Sequence, residues 1–127
     1  MDFIGPINPP SKDHIWILTG TKLFTKWVEA IPLCRAIGPA VANFIKESII
    51  CRFGIPNIIL TDNGTPFINR HVIALLLKYE INNHRSTPYY LRGNGQAETT
   101  NKTLLKILSR MVYDFPNKWS GQLPFAL

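Results

Sequence analysis

Three carboxylates stand apart from the other acids of this chain: Asp2, Asp62 and Glu98. Asp62 closes the short apolar run Asn57–Thr61 and leads straight into Asn63-Gly64. It therefore sits where a strand gives way to a tight turn, the place at which α/β sheets hold their ligands, although Asp also serves as a plain turn former. Glu98 falls in the first turn of a helical stretch, just after Gly93-Asn94-Gly95. The helix dipole alone would favour a carboxylate there, but its helical angle sets Glu98 at the border of the apolar face. Asp2 lies in a strand-like segment, Asp2–Ile7, where a carboxylate is costly unless it is paired, metal-bound or left in water at the chain end. Asp62 and Glu98 are separated by 35 residues. Two strands and a helix that bring three carboxylates to one point make a site for hard divalent cations. Two magnesium ions there can generate an oxygen nucleophile and stabilise the leaving oxygen of an in-line phosphoryl displacement.

The other acids read as ordinary. Asp13 falls in a loop, Glu29 and Glu47 fall on outward faces, and Glu80 and Asp114 follow helices. Lys102 and Lys106, at i+4 and i+8 from Glu98, line its side of the helix with cations. Such a row is either a solvated face or a surface for anions.

The elements that must position these residues follow from pattern. Asp2–Ile7, His14–Thr19 and Trp27–Ile31 are rich in β-branched and aromatic residues and read as strands, with a short turn at Gly20–Lys22. Short links between consecutive strands favour antiparallel pairing. A helix opens at Gly38-Pro39, repeats Val41, Phe44, Ile45 and Ile49, and stops at Gly54 and Pro56. Asn57–Thr61 reads as a buried central strand, Pro66–Tyr79 as a second helix and Ile81–Ser86 as a polar edge strand. The last helix runs from Asn94 to Tyr113, with Ala97, Leu104, Leu105, Leu108, Met111 and Val112 on one arc. The order is βββ-α-β-α-β-α, a mixed five-stranded sheet with helices on its faces.

At 127 residues the chain is long enough for one domain with a core. With 46% apolar and 17% charged residues it is too hydrophobic to stay disordered, and its longest apolar run, Val72–Leu77, is far short of a membrane span. Fourteen Lys and Arg against eight Asp and Glu leave a net charge of +6, which favours a polyanionic partner. Cys34 and Cys51 have neither disulfide nor zinc spacing and suit a reducing compartment. The chain starts on a strand and stops on the apolar LPFAL, so the reading expects a domain truncated at both ends, with its first strand and last helix incomplete.

At these residues the sequence resembles the catalytic core of retroviral and retrotransposon integrases, most closely those of Ty3/gypsy long-terminal-repeat elements. The segments that carry the likeness are DFIGPI (Asp2–Ile7), FTKWVEAIP (Phe24–Pro32), FGIPNIILTDNGTPF (Phe53–Phe67) and GNGQAETTNKTLLKIL (Gly93–Leu108). The resemblance implies a ribonuclease-H-like fold, dependence on magnesium or manganese, and insertion of element DNA into target DNA by 3′-end processing followed by strand transfer. It implies that Asp2, Asp62 and Glu98 are the metal-binding catalytic triad, and that Gln96, Asn101 and Lys102, with Lys106 on the same side, meet DNA. It further implies a homo-oligomer in the longer integrase and a nuclear site of action, with no membrane. Two positions depart from the pattern. Tyr90-Leu91-Arg92 replaces a His or Tyr followed by Pro-Gln, and Lys22 stands where an Asp is common. Two other readings remain: a catalytically inactive remnant that only binds nucleic acid, and a ribonuclease H, which needs a fourth carboxylate that Asp114 is poorly placed to supply.

Overall fold

A computed structural model describes residues 1–22, 25, 27–62, 64–85, 106–107, 109–111 and 113–126. Three strands form an antiparallel sheet in the order β1 (Asp2–Ile4), β2 (Trp16–Lys22), β3 (Trp27–Leu33). The register sets Asp2 opposite Thr19 and Ile4 opposite Ile17 across β1 and β2, and Thr19 opposite Ala30 across β2 and β3. Both outer pairings are antiparallel, as the short links require. β2 and β3 run further than their patterns suggest. Gly20, Thr21 and Lys22 pair with Glu29, Val28 and Trp27, so the residues read as a turn are strand.

A helical run follows, made of α1 (Gly38–Phe44), a π-helical turn (Ile45–Ile50) and the short α2 (Cys51–Phe53). Pro39 occupies its first turn, where a missing N–H costs nothing. The wider π turn keeps Ile45 buried while both Ile49 and Ile50 pack on the core. β4 (Ile58–Thr61) and β5 (Asn82–Arg85) then pair in parallel around α3 (Arg70–Lys78). α3 starts four residues later than the apolar pattern suggests. The Asn69 side chain accepts the N–H groups of His71 and Val72, while Phe67 and Ile68 bond back to Gly64 as a separate turn.

The expected single five-stranded sheet is instead a three-stranded and a two-stranded ladder. β1 is only three residues long and offers β4 no ladder. A hydrogen bond from the Met1 amino group to the Leu60 carbonyl, at 2.7 Å, links the two sheets. The core beneath is nonetheless continuous. Leu18, Val41, Phe44, Ile45, Ile59, Phe67, Val72, Leu76 and Ile81 form one buried cluster under both ladders. Phe3 of β1 meets Phe67 across the join with ring centroids 5.2 Å apart. Ile58, read as buried, is exposed at the open start of β4.

The opposite face of the antiparallel sheet carries a second cluster of Ile4, Ile17, Met111, Trp119 and Leu123. Backbone at Lys106, Ile107, Ser109–Met111, Tyr113 and Asp114 is helical, and buried Met111 agrees with the predicted apolar arc. Most of the predicted Asn94–Tyr113 helix, with Ala97, Leu104, Leu105, Leu108 and Val112, lies outside the described residues. The chain then forms α4 (Trp119–Ala126), which takes in residues 123–126 of the segment read only as an apolar ending. Trp119 is fully buried, and its Nε1–H donates to the Pro9 carbonyl at 2.8 Å. The hydroxyls of Ser11 and Ser120 are 2.8 Å apart, and Ser11 Oγ also accepts the Ser120 N–H.

Candidate active site

Strand alternation decides which way Asp2 looks. Phe3 and Leu18 face the cluster under α1 and α3, so Asp2, Ile4, Thr19 and Ile17 face the other side. That side is the one covered by Met111, Trp119 and Leu123. Asp2 is half-buried there, and its Oδ1 accepts the N–H of Phe3 at 2.9 Å. The buried Thr19 donates its hydroxyl to the Asp2 main-chain carbonyl at 3.3 Å, fixing the backbone beneath the carboxylate.

Asp62 follows directly on β4 and is exposed. Its Oδ1 accepts the main-chain N–H of Gly64 at 2.8 Å, which aims the carboxylate back over its own turn. A Cβ at position 64 would lie 3.0 Å from that oxygen, so the close approach suits glycine. Ile59 and Thr61 point into the core, and alternation therefore starts Leu60 and Asp62 toward the opposite side, that of Asp2.

The two aspartates meet electrostatically at Met1. Burial pushes the Met1 ammonium below its ordinary pKa of 8.0, and the carboxylates of Asp2 and Asp62 both pull it the other way. A cation therefore stands within range of both acids. Their oxygens are the hard donors that a divalent ion takes, so the pair fits such a group as far as two residues can. Among the described residues no group of three His, Cys, Asp or Glu is placed to hold a metal. Glu98 lies outside them, as do Gln96, Asn101 and Lys102, while Lys106 is exposed.

The other acids divide more sharply than their sequence positions suggest. Asp114 is helical rather than beyond the helix, and it pairs with Arg110 at 3.8 Å on the surface. Glu29, read as outward, is half-buried. It accepts the Trp27 Nε1–H at 2.6 Å and holds Arg52 at 2.7 Å. The pattern reading also passed over Thr19 and Gly64, whose support of the aspartates is made through the main chain. The strand-then-turn run ending in Asp62-Asn63-Gly64 was the available signal for the second of these.

An integrase core domain profile matches residues 1–90. Gypsy retrotransposon integrase-like protein 1 of Bos taurus is 30% identical over 128 residues, covering 98% of this chain and 24% of that protein. The Gag-Pol polyproteins of woolly monkey sarcoma virus and gibbon ape leukemia virus are 30% and 31% identical over 122 residues, covering 95% of this chain and 7% of each polyprotein. The chain thus spans about a quarter of the first relative and under a tenth of the other two. The profile takes in the strand bearing Asp2, the turn bearing Asp62 and each of β1 to β5, and on that match the chain belongs to the integrase core domain family.

Proposed function

We propose that this domain carries out divalent-metal-dependent polynucleotidyl transfer, trimming the 3′ ends of retrotransposon DNA and joining them to target DNA. The integrase core family supports DNA integration in general, and the mixed α/β architecture is consistent with its ribonuclease-H-like fold. One observation carries the reading to this site. Asp2 and Asp62 are 60 residues apart in sequence, yet the Met1–Leu60 hydrogen bond sets β1 beside β4 and strand alternation starts both aspartates toward the same side.

Asp2, Asp62 and Glu98 are the residues that would hold Mg2+ or Mn2+. When bound, such ions supply a lowered pKa for the attacking hydroxyl and neutralise charge on the phosphate and the leaving oxygen. The protein's part is placement. Gly64 N–H and Phe3 N–H each hold one oxygen of Asp62 and Asp2, orienting the two carboxylates. Glu98 would join them from the Asn94–Tyr113 stretch, whose Met111 packs on Asp2's side of the sheet. Gln96, Asn101, Lys102 and Lys106 extend along that run as the contacts for DNA, in keeping with the +6 charge. In the longer integrase the domain works as a homo-oligomer on element ends and target DNA together.

A ribonuclease H reading gains no support, because its extra carboxylate would have to be Asp114, which is engaged by Arg110. The test uses the purified chain, Mn2+ and a branched oligonucleotide that mimics the joined product. Wild type is expected to cut and rejoin it, and Glu98→Gln to do neither. Equal behaviour of the two overturns catalysis and leaves a protein that only binds nucleic acid.

A further inference from the structure

The segments FTKWVEAIP and FGIPN contribute nothing to the carboxylate chemistry, yet they meet in space. Trp27 opens β3 and Phe53 closes α2, and their rings pack edge to face with centroids 6.3 Å apart. Both stay in solvent: Trp27 is 52% exposed and Phe53 42%. Two cations flank them, Lys22 Nζ at 5.8 Å and the Arg52 guanidinium at 5.4 Å from the Phe53 centroid. Glu29 ties the group together, one oxygen accepting from the Trp27 indole and the other from Arg52. The indole N–H is thereby satisfied, so what Trp27 offers to solvent is its ring, held in a fixed orientation. With Lys22 and Arg52 against Glu29, the cluster keeps one net positive charge.

We propose that this face is a second DNA contact, on which an unpaired base stacks against Trp27 while Lys22 and Arg52 take the adjoining phosphates. Rigid exposed rings beside cations are the arrangement that binds single-stranded nucleic acid without regard to sequence. An apolar protein partner would be poorly served by a Phe53 ring that carries two cations over it. Lys22 and Trp27 are register partners, three pairs beyond Thr19, which faces Asp2. By alternation Lys22 and Trp27 face the α1 side of the sheet, so this face lies about 10 Å along the sheet from the Asp2 row and on the other side of it. The proposal shares its partner, DNA, with the catalytic reading but uses none of its residues.

The experiment measures anisotropy of a labelled oligothymidylate against the 127-residue chain at several salt concentrations. Trp27→Ala is expected to weaken binding about 5- to 150-fold, the loss of one base stack. Lys22→Gln should lower the slope of log affinity against log salt by about 1. Intrinsic fluorescence gives a readout independent of any loss of fold in the alanine variant. The oligonucleotide should quench wild-type emission by Trp27 and leave the Trp16 and Trp119 emission of Trp27→Phe nearly unquenched. Quenching that is the same in both proteins overturns the proposal, as does a folded Trp27→Ala that binds like wild type. A chain inactive on branched DNA that still shows Trp27-dependent binding overturns catalysis and upholds this face. Activity with Trp27-independent binding does the reverse.

Discussion

Asp62 accepts the Gly64 N–H at 2.8 Å, and a side-chain carbon at residue 64 would stand 3.0 Å from the same oxygen. The turn therefore orients the carboxylate through a main-chain donor that tolerates almost nothing beside it. Gly64→Ala pushes on the Asp62 oxygen without touching the core. Loss of an orienting partner of this kind costs about 10- to 100-fold in metal affinity or activity. Cutting of branched DNA in a Mn2+ titration should fall by that factor, with the melting temperature almost unchanged.

Asp2 lies in one ladder and Asp62 directly follows the other, so a divalent ion held between them would tie the two together. Mn2+ at about 100 times its dissociation constant should stabilise the fold by about 2.7 kcal/mol. Thermal unfolding with Mn2+ and with chelator measures the difference. Asp62→Asn should remove most of it, and a metal-induced shift that survives this change would place the ion elsewhere.

Trp119 is 0% exposed and anchors α4 to the loop between β1 and β2 through the Pro9 carbonyl. Trp119→Ala should cost about 3–5 kcal/mol in urea unfolding, the usual loss for a buried tryptophan. Trp119→Phe refills much of the volume but leaves the Pro9 carbonyl without its donor, for about 1–3 kcal/mol. Equal costs for the two would show that the hydrogen bond, and not the packing, holds the helix.

The Met1 amine gives the 127-residue chain a defined pH response. Its folded pKa is lowered from 8.0, with burial the main cause. Between that lowered value and 8.0 the unfolded chain binds more protons than the folded one. Stability therefore rises with pH through this window and levels off above it. Urea midpoints across the window test the sign. An Nα-acetylated chain, which keeps an N–H for the Leu60 carbonyl, should lose this component of the rise.

Much of the scaffold can be read from local pattern because local rules govern it. β-branched and aromatic runs with short links give the three antiparallel strands, and Asp62-Asn63-Gly64 marks a strand end before a turn. What escapes the pattern is decided at a distance. Gly20, Thr21 and Lys22 look like a turn, and only pairing with Trp27–Glu29 makes them strand. α4 contains Gly121 and Pro124, both poor helix formers, and is secured by Pro9 and Ser11 from 110 and 109 residues away. Glu29 looks like a solvated acid until Arg52, 23 residues on, reaches it. Asp2 and Asp62 could be singled out by type and setting, but their common neighbour at Met1 follows from the placing of β1 beside β4.

The join between the ladders has a consequence for that pair. Within a ladder, the distance between two side chains is dictated by repeated main-chain bonds and hardly yields. Across the join, where Met1 bonds to Leu60 and Phe3 meets Phe67 below, the girth of two aromatic rings contributes to it. The gap between the aspartates thus depends in part on the hydrocarbon interior. A smaller side chain at Phe67, remote from any oxygen ligand, would resize the opening offered to a cation and so bias it between ions of different radius.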